Sequence, residues 1–202
     1  MKLFIGSLLF ATYFTLPCQG TPGLRNIDND KLDMAKKLLG GTDPLYLVRA
    51  VHPPDILTGK NETVCWTSTR TEVKSQKFIH NITYYNITKP DSAVMNYKLG
   101  AWTVLPNMMV SLQTTYRKRK PTIPGDWWLE EAEENCTVLG MHVHYRYGES
   151  AICLYWAKRS SSNSTYLPCD NGYKEKCRNS TFKEYNWSNF CDYDNKPKPK
   201  TN

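Results

Sequence analysis

From residue 44 onward, apolar and polar side chains alternate with a period of two, which is the pattern of half-buried β-strands. The segments concerned are rich in Val, Ile, Thr, Tyr and Trp and are separated by turn residues. The predicted strands are 44–52, 62–73, 77–85, 93–99, 101–105, 108–117, 136–147 and 150–158. Because no helical period separates them, the pattern predicts an all-β domain of eight or nine antiparallel strands, closed as a sandwich or a barrel.

Helical signals flank this strand-rich region. Residues 28–41 predict one helix, with an aspartate cap, an apolar stripe and two terminal glycines. A second helix is predicted within Tyr173–Trp187, and the polar, Pro- and Lys-rich residues 192–202 are expected to be disordered. Since the chain has no internal repeat and no linker, residues 21–191 are predicted to form one domain.

The first 20 residues have the pattern of a signal peptide. Lys2 is followed by the apolar run Leu3–Leu16, and small residues precede a cleavage point after Gly20. No other stretch of the sequence approaches the ~18 apolar residues that a membrane span needs. The sequence therefore predicts a secreted, extracellular protein without a membrane partner.

Composition and glycosylation sequons agree with secretion. The 202 residues are 40% hydrophobic and carry a formal net charge of +7, which leaves enough apolar material for a core and excludes a fully disordered chain. The basic excess does not indicate a nucleic-acid partner, because extracellular glycoproteins carry it too. N-x-S/T sequons are more frequent than chance would give. Glycosylation is predicted at Asn61, Asn81, Asn86, Asn163, Asn179 and Asn186. Asn135 is set apart because Cys136, inside its sequon, is expected in a disulfide.

Removal of the signal peptide leaves an even number of cysteines. They are Cys65, Cys136, Cys153, Cys169, Cys177 and Cys191. In an oxidising compartment these six residues imply three disulfides, and the sequence alone permits about fifteen pairings. The short paired spacings of a structural zinc site are absent, so no metal is expected.

Motifs of catalysis are absent from the sequence. There is no G-x-S-x-G, no H-E-x-x-H, no P-loop and no G-x-G-x-x-G, so neither an enzyme nor a cofactor is expected. His142 and His144 share one predicted strand face without an identifiable third metal ligand. The basic run 117–120 is either a solvated turn or a contact for an anionic partner.

The two-residue period also predicts which side chains face inward. A sugar on Asn81 would point outward and turn its neighbours on the strand inward, and the same reasoning applies to cysteines tied to chain outside the sheet. The inward set that this predicts includes Trp66, Arg70, Glu72, Phe78, His80, Tyr84, Tyr145 and Trp156. Such an aromatic interior is either a small-ligand pocket or an ordinary packed core.

The order of these features resembles the tick salivary lipocalins of the histamine-binding-protein family. The acidic helix, the strand 44–52, the Cys65-to-Cys136 interval, Glu134-Asn135-Cys136 and the strand ending Cys153-Leu-Tyr-Trp156 carry the resemblance. It implies an eight-stranded antiparallel lipocalin-type β-barrel, closed by an N-terminal helix, with a C-terminal helix outside. It also implies the disulfides Cys65–Cys191, Cys136–Cys169 and Cys153–Cys177.

The resemblance further implies a function. Family members sequester host mediators such as histamine, serotonin or leukotrienes inside the barrel, and some act on complement instead. The protein itself is expected to be a monomer. We therefore expect sequestration of an amine or a fatty-acid-derived lipid, with the alternative that the outer surface inhibits a host defence protein.

The candidate ligand residues implied by the family are few. Asp55 falls where members carry an acidic residue, Tyr116 approximately matches a family aromatic residue, and Trp66 could serve as another. Leu154 stands where amine binders carry Glu, and Thr137 where they carry Asp, so at least one amine site looks dismantled.

The mediator itself stays open between these two classes. An amine needs inward carboxylates, for which the sequence offers Asp55 and Glu72. A lipid carboxylate needs a cation, for which Arg70, Arg49 and Arg117 are candidates.

Overall fold

A ring of antiparallel strands follows one helix in the computed structural model, which describes residues 26–51, 63–86, 96–115, 125–145, 148–158, 167–177, 182–186 and 191. The helices are α1 (Asn29–Gly40) and α2 (Leu167–Cys177). The strands are β1 (Leu45–Val51), β2 (Thr63–Lys74), β3 (Lys77–Asn86), β4 (Asn96–Leu105), β5 (Met109–Thr115), β6 (Asp126–Glu133), β7 (Cys136–Tyr145), β8 (Gly148–Lys158) and β9 (Glu184–Asn186).

Strands β2 to β8 pair with their neighbours in chain order, and β8 then pairs with β1. The ring closes because β1 also pairs with β2. This confirms the expected fold class, an eight-stranded antiparallel barrel of lipocalin type with flanking helices, stapled by disulfides. The short strand β9 is an addition that the sequence did not predict.

One edge of β1 pairs with two different strands along its length, and we call this edge the seam. At its start β1 pairs with β2, where Leu45 lies opposite Ser68. Farther along, the same edge of β1 pairs with β9 instead, where Val51 lies opposite Glu184. Cys191, after β9, forms a disulfide with Cys65 of β2, with a Cα–Cα distance of 5.5 Å. The seam is therefore completed by the C-terminal part of the chain.

Helix α1 covers one end of the barrel. Its N-cap is Asp28, whose carboxylate accepts a hydrogen bond from the backbone N–H of Lys31 at 3.1 Å. The apolar stripe of the helix is buried in the barrel core, as predicted, through Leu32, Ala35, Leu38 and Leu39. Because the strands alternate in direction, the turns β2–β3, β4–β5 and β6–β7 lie at this end. The opposite end of the barrel, at which β1, β3, β5 and β7 end, is the mouth. Residues 52–62, 87–95, 116–124 and 146–147 lie outside the described residues.

Helix α2 packs on the outside of β6, β7 and β8 and covers a second apolar cluster. Tyr173 of the helix and Tyr155 of β8 lie in this cluster, with their rings 5.6 Å apart. Two disulfides anchor α2 to the barrel wall, Cys136–Cys169 and Cys153–Cys177. Together with Cys65–Cys191 these are the pairs that the resemblance implies.

Two predicted strands are one strand in the structure. The segments 93–99 and 101–105 form the continuous strand β4, in which Gly100 is not a break. A Cβ atom at position 100 would lie 2.6 Å from Cδ1 of Ile82 and 2.9 Å from Cδ1 of Leu112. The glycine therefore permits close packing inside the barrel.

Two further sequence assignments were wrong. The second helix begins at Leu167 and ends at Cys177, before most of the predicted span, and part of that span forms β9 instead. Strand β6 was not predicted, because the bulge that follows Leu129 interrupts its alternation. No helix in the described ranges is long and apolar enough to cross a membrane. The predicted boundaries of signal peptide, domain and tail remain expectations.

Candidate functional site

The inner face of the barrel is lined by large aromatic side chains. Trp66, Trp102, Trp127 and Trp156 are each no more than 1% exposed and belong to one apolar cluster with α1. The ring of Trp66 stacks on Tyr84, with centroids 4.3 Å apart. Trp102 meets Trp156 edge to face at 5.9 Å. The inward direction predicted for Trp66, Tyr84 and Trp156 is therefore what the structure has.

Three linked hydrogen bonds join the polar side chains of the inner face, on the side of the Trp66–Tyr84 stack that is nearer to α1. The indole N–H of Trp102 donates to Oγ of Ser68 at 3.1 Å. His80 Nε2–H donates to the carbonyl oxygen of Leu39 in α1 at 2.8 Å, because a carbonyl can only accept. His80 Nδ1 is then the acceptor for the Ser68 hydroxyl at 2.9 Å. Each group thus has a partner inside the protein.

These linked hydrogen bonds require a neutral imidazole ring on His80. His80 is 1% exposed, and this burial lowers its pKa below the ordinary value of 6.5, although its hydrogen bonds oppose the shift. The nearby Arg70 guanidinium contributes to the lowering. His80 was predicted to face inward, but no sequence pattern predicts its hydrogen bond to α1.

Arg70 lies opposite His80 in the β2–β3 pairing and is half-buried. Its Nε is enclosed and has no hydrogen-bond partner among the described residues. Arg70 stands two residues beyond Ser68 in the direction of α1, so it lies at the closed end of the barrel rather than at the mouth. Arg70 therefore lies on the inner face, as predicted, but away from any ligand that occupies only the half of the interior nearer to the mouth.

Glu72 was predicted to face inward, and this is wrong. The β2–β3 pairing passes from Arg70–His80 to Glu72–Ile79, which leaves Thr71 as an extra residue on β2. Such a bulge reverses the parity of the positions that follow it. The Glu72 carboxylate is 51% exposed and pairs with Lys74 at 2.9 Å. It is therefore not an interior anion.

Arg49 also faces outward, contrary to its proposed role for a ligand carboxylate. The β1–β8 register shifts between Leu47 and Arg49, which puts Arg49 opposite Tyr155 of the outer cluster. Its guanidinium binds Asp170 of α2 at 3.2 Å and lies over the ring of Tyr173. These three residues hold α2 to the wall, beside an outer groove of about 650 Å³.

Phe78 lies at the closed end, beside α1. It is half-buried, and a Cβ atom on Gly40 would lie 3.0 Å from its ring. With Leu32 and Val104 it lines a cleft of about 560 Å³ between α1 and the β4–β5 turn. Phe78 therefore supports the base of the barrel and does not join the aromatic layer around Trp66.

Several predicted site residues lie outside the residues that the structure describes. Asp55, Tyr116 and Arg117 are not among the described residues. The backbone of Tyr145 ends β7 at the mouth, and its side chain is not described. Among the predicted glycosylation sites, Asn81 and Asn186 are exposed, as attachment of a glycan requires. The ligand-binding roles of the first group and the glycosylation of the asparagines remain predictions.

Two interior residues that the site prediction omitted are Trp102 and Trp127. Trp102 alternates with Val104 on β4, so the two-residue period could have identified it. Trp127 lies in a segment for which no strand was predicted and which forms β6 in the structure. Both enlarge the aromatic character of the interior.

Among the side chains that the structure describes, none on the inner face of the barrel is a carboxylate. Glu130 is buried, but its side chain lies over Gly140, which pairs with Cys153 of the outer cluster. Leu154, in a family acidic position, is fully buried in the barrel core. Within the described ranges no three His, Cys, Asp or Glu side chains could hold a metal ion together. The described interior therefore offers aromatic surface and hydrogen-bond donors.

The fold is similar to that of two solved structures. Japanin from the tick Rhipicephalus appendiculatus, bound to cholesterol, is 10% identical, and the match covers 68% of this chain and 88% of that one with a TM-score of 0.51. Apocrustacyanin C1 is 12% identical over 76% of this chain and 82% of its own, with a TM-score of 0.50. Both are lipocalins, and at these identities the likeness shows the fold alone. No family model matches the sequence, and no curated protein matches it either.

Proposed function

We propose that the protein is a secreted salivary lipocalin that binds a small host inflammatory mediator inside its barrel and so withholds it from the host. The mediator is a biogenic amine or a fatty-acid-derived lipid, and the protein binds it without turnover. The observation that carries this proposal is the stacked pair of Trp66 and Tyr84 on the inner face, on the mouth side of the Ser68–His80 level.

The physical basis is burial of apolar ligand surface. A ligand inserted from the mouth meets aromatic rings before it meets the hydrogen-bonded base that His80 and α1 close. Removal of apolar surface from water contributes about 25 cal/mol per Å², so an apolar mediator gains affinity from these rings. The tick protein Japanin, whose fold is similar, binds cholesterol, which supports an apolar occupant.

The test is titration of the purified, glycosylated protein with histamine, serotonin and a leukotriene by calorimetry. Saturable binding of one ligand class is expected, with Trp66→Leu weakening it by roughly tenfold or more because a stacking surface is lost. Trp128→Leu is the matched control, since Trp128 pairs with Gly140 on the outer side of the wall. No binding by any mediator, together with capture of a host protein by the outer surface, would replace the proposal with the protein–protein alternative.

A further inference from the structure

The polar atoms on the inner face divide into a paired set and an unpaired set. Ser68, His80 and Trp102 satisfy one another and Leu39, as described above. The indole N–H groups of Trp66 and Trp156, by contrast, are enclosed and have no hydrogen-bond partner among the described residues. Native proteins leave few buried donors unpaired, because a buried donor without a partner destabilises the folded state.

The unpaired set has one chemical character. An indole nitrogen donates a hydrogen bond and cannot accept one. The third enclosed interior nitrogen without a partner, Nε of Arg70, is also a donor. A ligand ammonium would add further donors and a charge to a region whose described inner face holds no carboxylate, whereas a ligand oxygen would accept from the two indole N–H groups.

The two tryptophans lie close enough to serve one ligand. Trp156 of β8 pairs directly with Leu47 of β1. On the other edge of β1, Tyr46 pairs with Thr67, so that Trp66, the next residue, lies beside Leu47. Two strand spacings of ~4.8 Å then separate the tryptophan backbones by roughly 10 Å. Both indoles project from this layer into the barrel.

We infer that Trp66 and Trp156 determine specificity by donating their indole N–H groups to oxygen atoms of the ligand, which is an apolar molecule that is uncharged or anionic and not an amine. This rests on the proposed function and names the ligand class of that same site. Since both N–H groups are enclosed, the ligand reaches them by moving neighbouring rings, of which Tyr84 over Trp66 is one. Binding then supplies acceptors that the described residues lack.

The first experiment compares three ligands of equal chain length by calorimetry: dodecanoate, 1-dodecanol and dodecylamine. We expect the carboxylate and the alcohol to bind at least tenfold more tightly than the amine. Preference for dodecylamine would overturn the inference while leaving the proposed function intact. Failure of all three ligands and of every mediator to bind would instead overturn the proposed function.

The second experiment removes each donor without changing ring shape, by replacing Trp66 or Trp156 with 3-benzothienylalanine, which carries sulfur in place of N–H. Each replacement is expected to weaken dodecanoate and 1-dodecanol binding about three- to tenfold and dodecylamine binding hardly at all. The same replacement of Trp102 is the control, because its N–H is bound to Ser68. An unchanged ratio of affinities in both test variants would overturn the inference, and circular dichroism of each variant verifies that the barrel is intact.

Discussion

The imidazole Nε2 of His80 lies 2.8 Å from the carbonyl oxygen of Leu39, so a strand of the barrel directly bonds the helix that closes it. Leu39 is next to the last residue of α1, where carbonyl groups lack partners within the helix. The bond therefore supplies a hydrogen-bond donor, from inside the barrel, to a carbonyl group at the C-terminal end of α1. The arrangement depends on the protonation state of His80, because Nδ1 accepts a hydrogen bond from Ser68 only while the imidazole is neutral.

Acid is expected to weaken the fold through this group. The pKa of His80 is lowered in the folded state by burial, so the unfolded chain binds a proton that the folded chain resists. The free energy of unfolding therefore falls as the pH drops below the ordinary value of 6.5 and continues to fall until the lower folded pKa is passed. Urea unfolding between pH 7.5 and pH 5.5 measures this loss.

The control for this prediction is His80→Gln, which keeps an N–H donor for Leu39 but does not titrate. Arg70, the charged group that acts on His80 in the folded state, is unchanged in this variant. We expect the variant to lose less stability than the parent over the same pH interval. Equal losses in the two proteins would contradict the assignment to His80.

Glu72→Ala should leave both stability and ligand affinity nearly unchanged. The carboxylate is 51% exposed, and its contact with Lys74 is a surface ion pair, which contributes about 0–1 kcal/mol. Calorimetric titration and urea unfolding of the variant give the two values. A loss of ligand affinity above about fivefold would mean that the bulge at Thr71 does not turn Glu72 outward.

Gly100→Ala should destabilise the barrel by about 1–3 kcal/mol, because the added methyl group overpacks the interior. The nearest atom, Cδ1 of Ile82, would lie 2.6 Å from the new Cβ. Ile82→Val removes that atom, so the double variant should recover part of the loss. Additive losses in the double variant, measured by urea unfolding, would contradict this contact.

Removal of the Cys65–Cys191 disulfide should cost more than removal of Cys153–Cys177. The two bonds span 126 and 24 residues, and the entropic model gives roughly 5 and roughly 3.5 kcal/mol for loops of these lengths. Paired Cys→Ala variants, compared by urea unfolding, test the order of the two losses. A larger loss for the shorter loop would show that anchoring of α2 outweighs restriction of the unfolded chain.

The sequence predicted positions correctly wherever the two-residue period ran without interruption. On β3 the period placed His80, Ile82 and Tyr84 inside, and on β8 it placed Leu154 and Trp156 inside. β3 lies in regular register against β4, and β8 lies in regular register against β7. The bulges opposite them insert their extra residues into β2 and β1, so parity along β3 and β8 still determines the face.

Bulges account for the wrong facing of Glu72 and for the missed strand β6. Each inserts one residue that no local pattern announces, and the register then shifts, as happens at Thr71 and after Leu129. The same holds for Arg49, where β1 shifts against β8. The hydrogen bond from His80 to Leu39 joins residues 41 positions apart, so only the tertiary fold brings them together.

The seam has a consequence for the order of events during synthesis. The edge of β1 that meets β9, and the cysteine of β2 that bonds Cys191, receive their partners from residues 184–191, which leave the ribosome after all the strands of the barrel. Until then part of that edge lacks its β9 partner, and unpaired strand edges are sites of aggregation. Closure of this barrel therefore depends on pairing between sequence-distant segments, which is slow. Oxidation of Cys65 before Cys191 has emerged would trap the nascent chain in a non-native pairing.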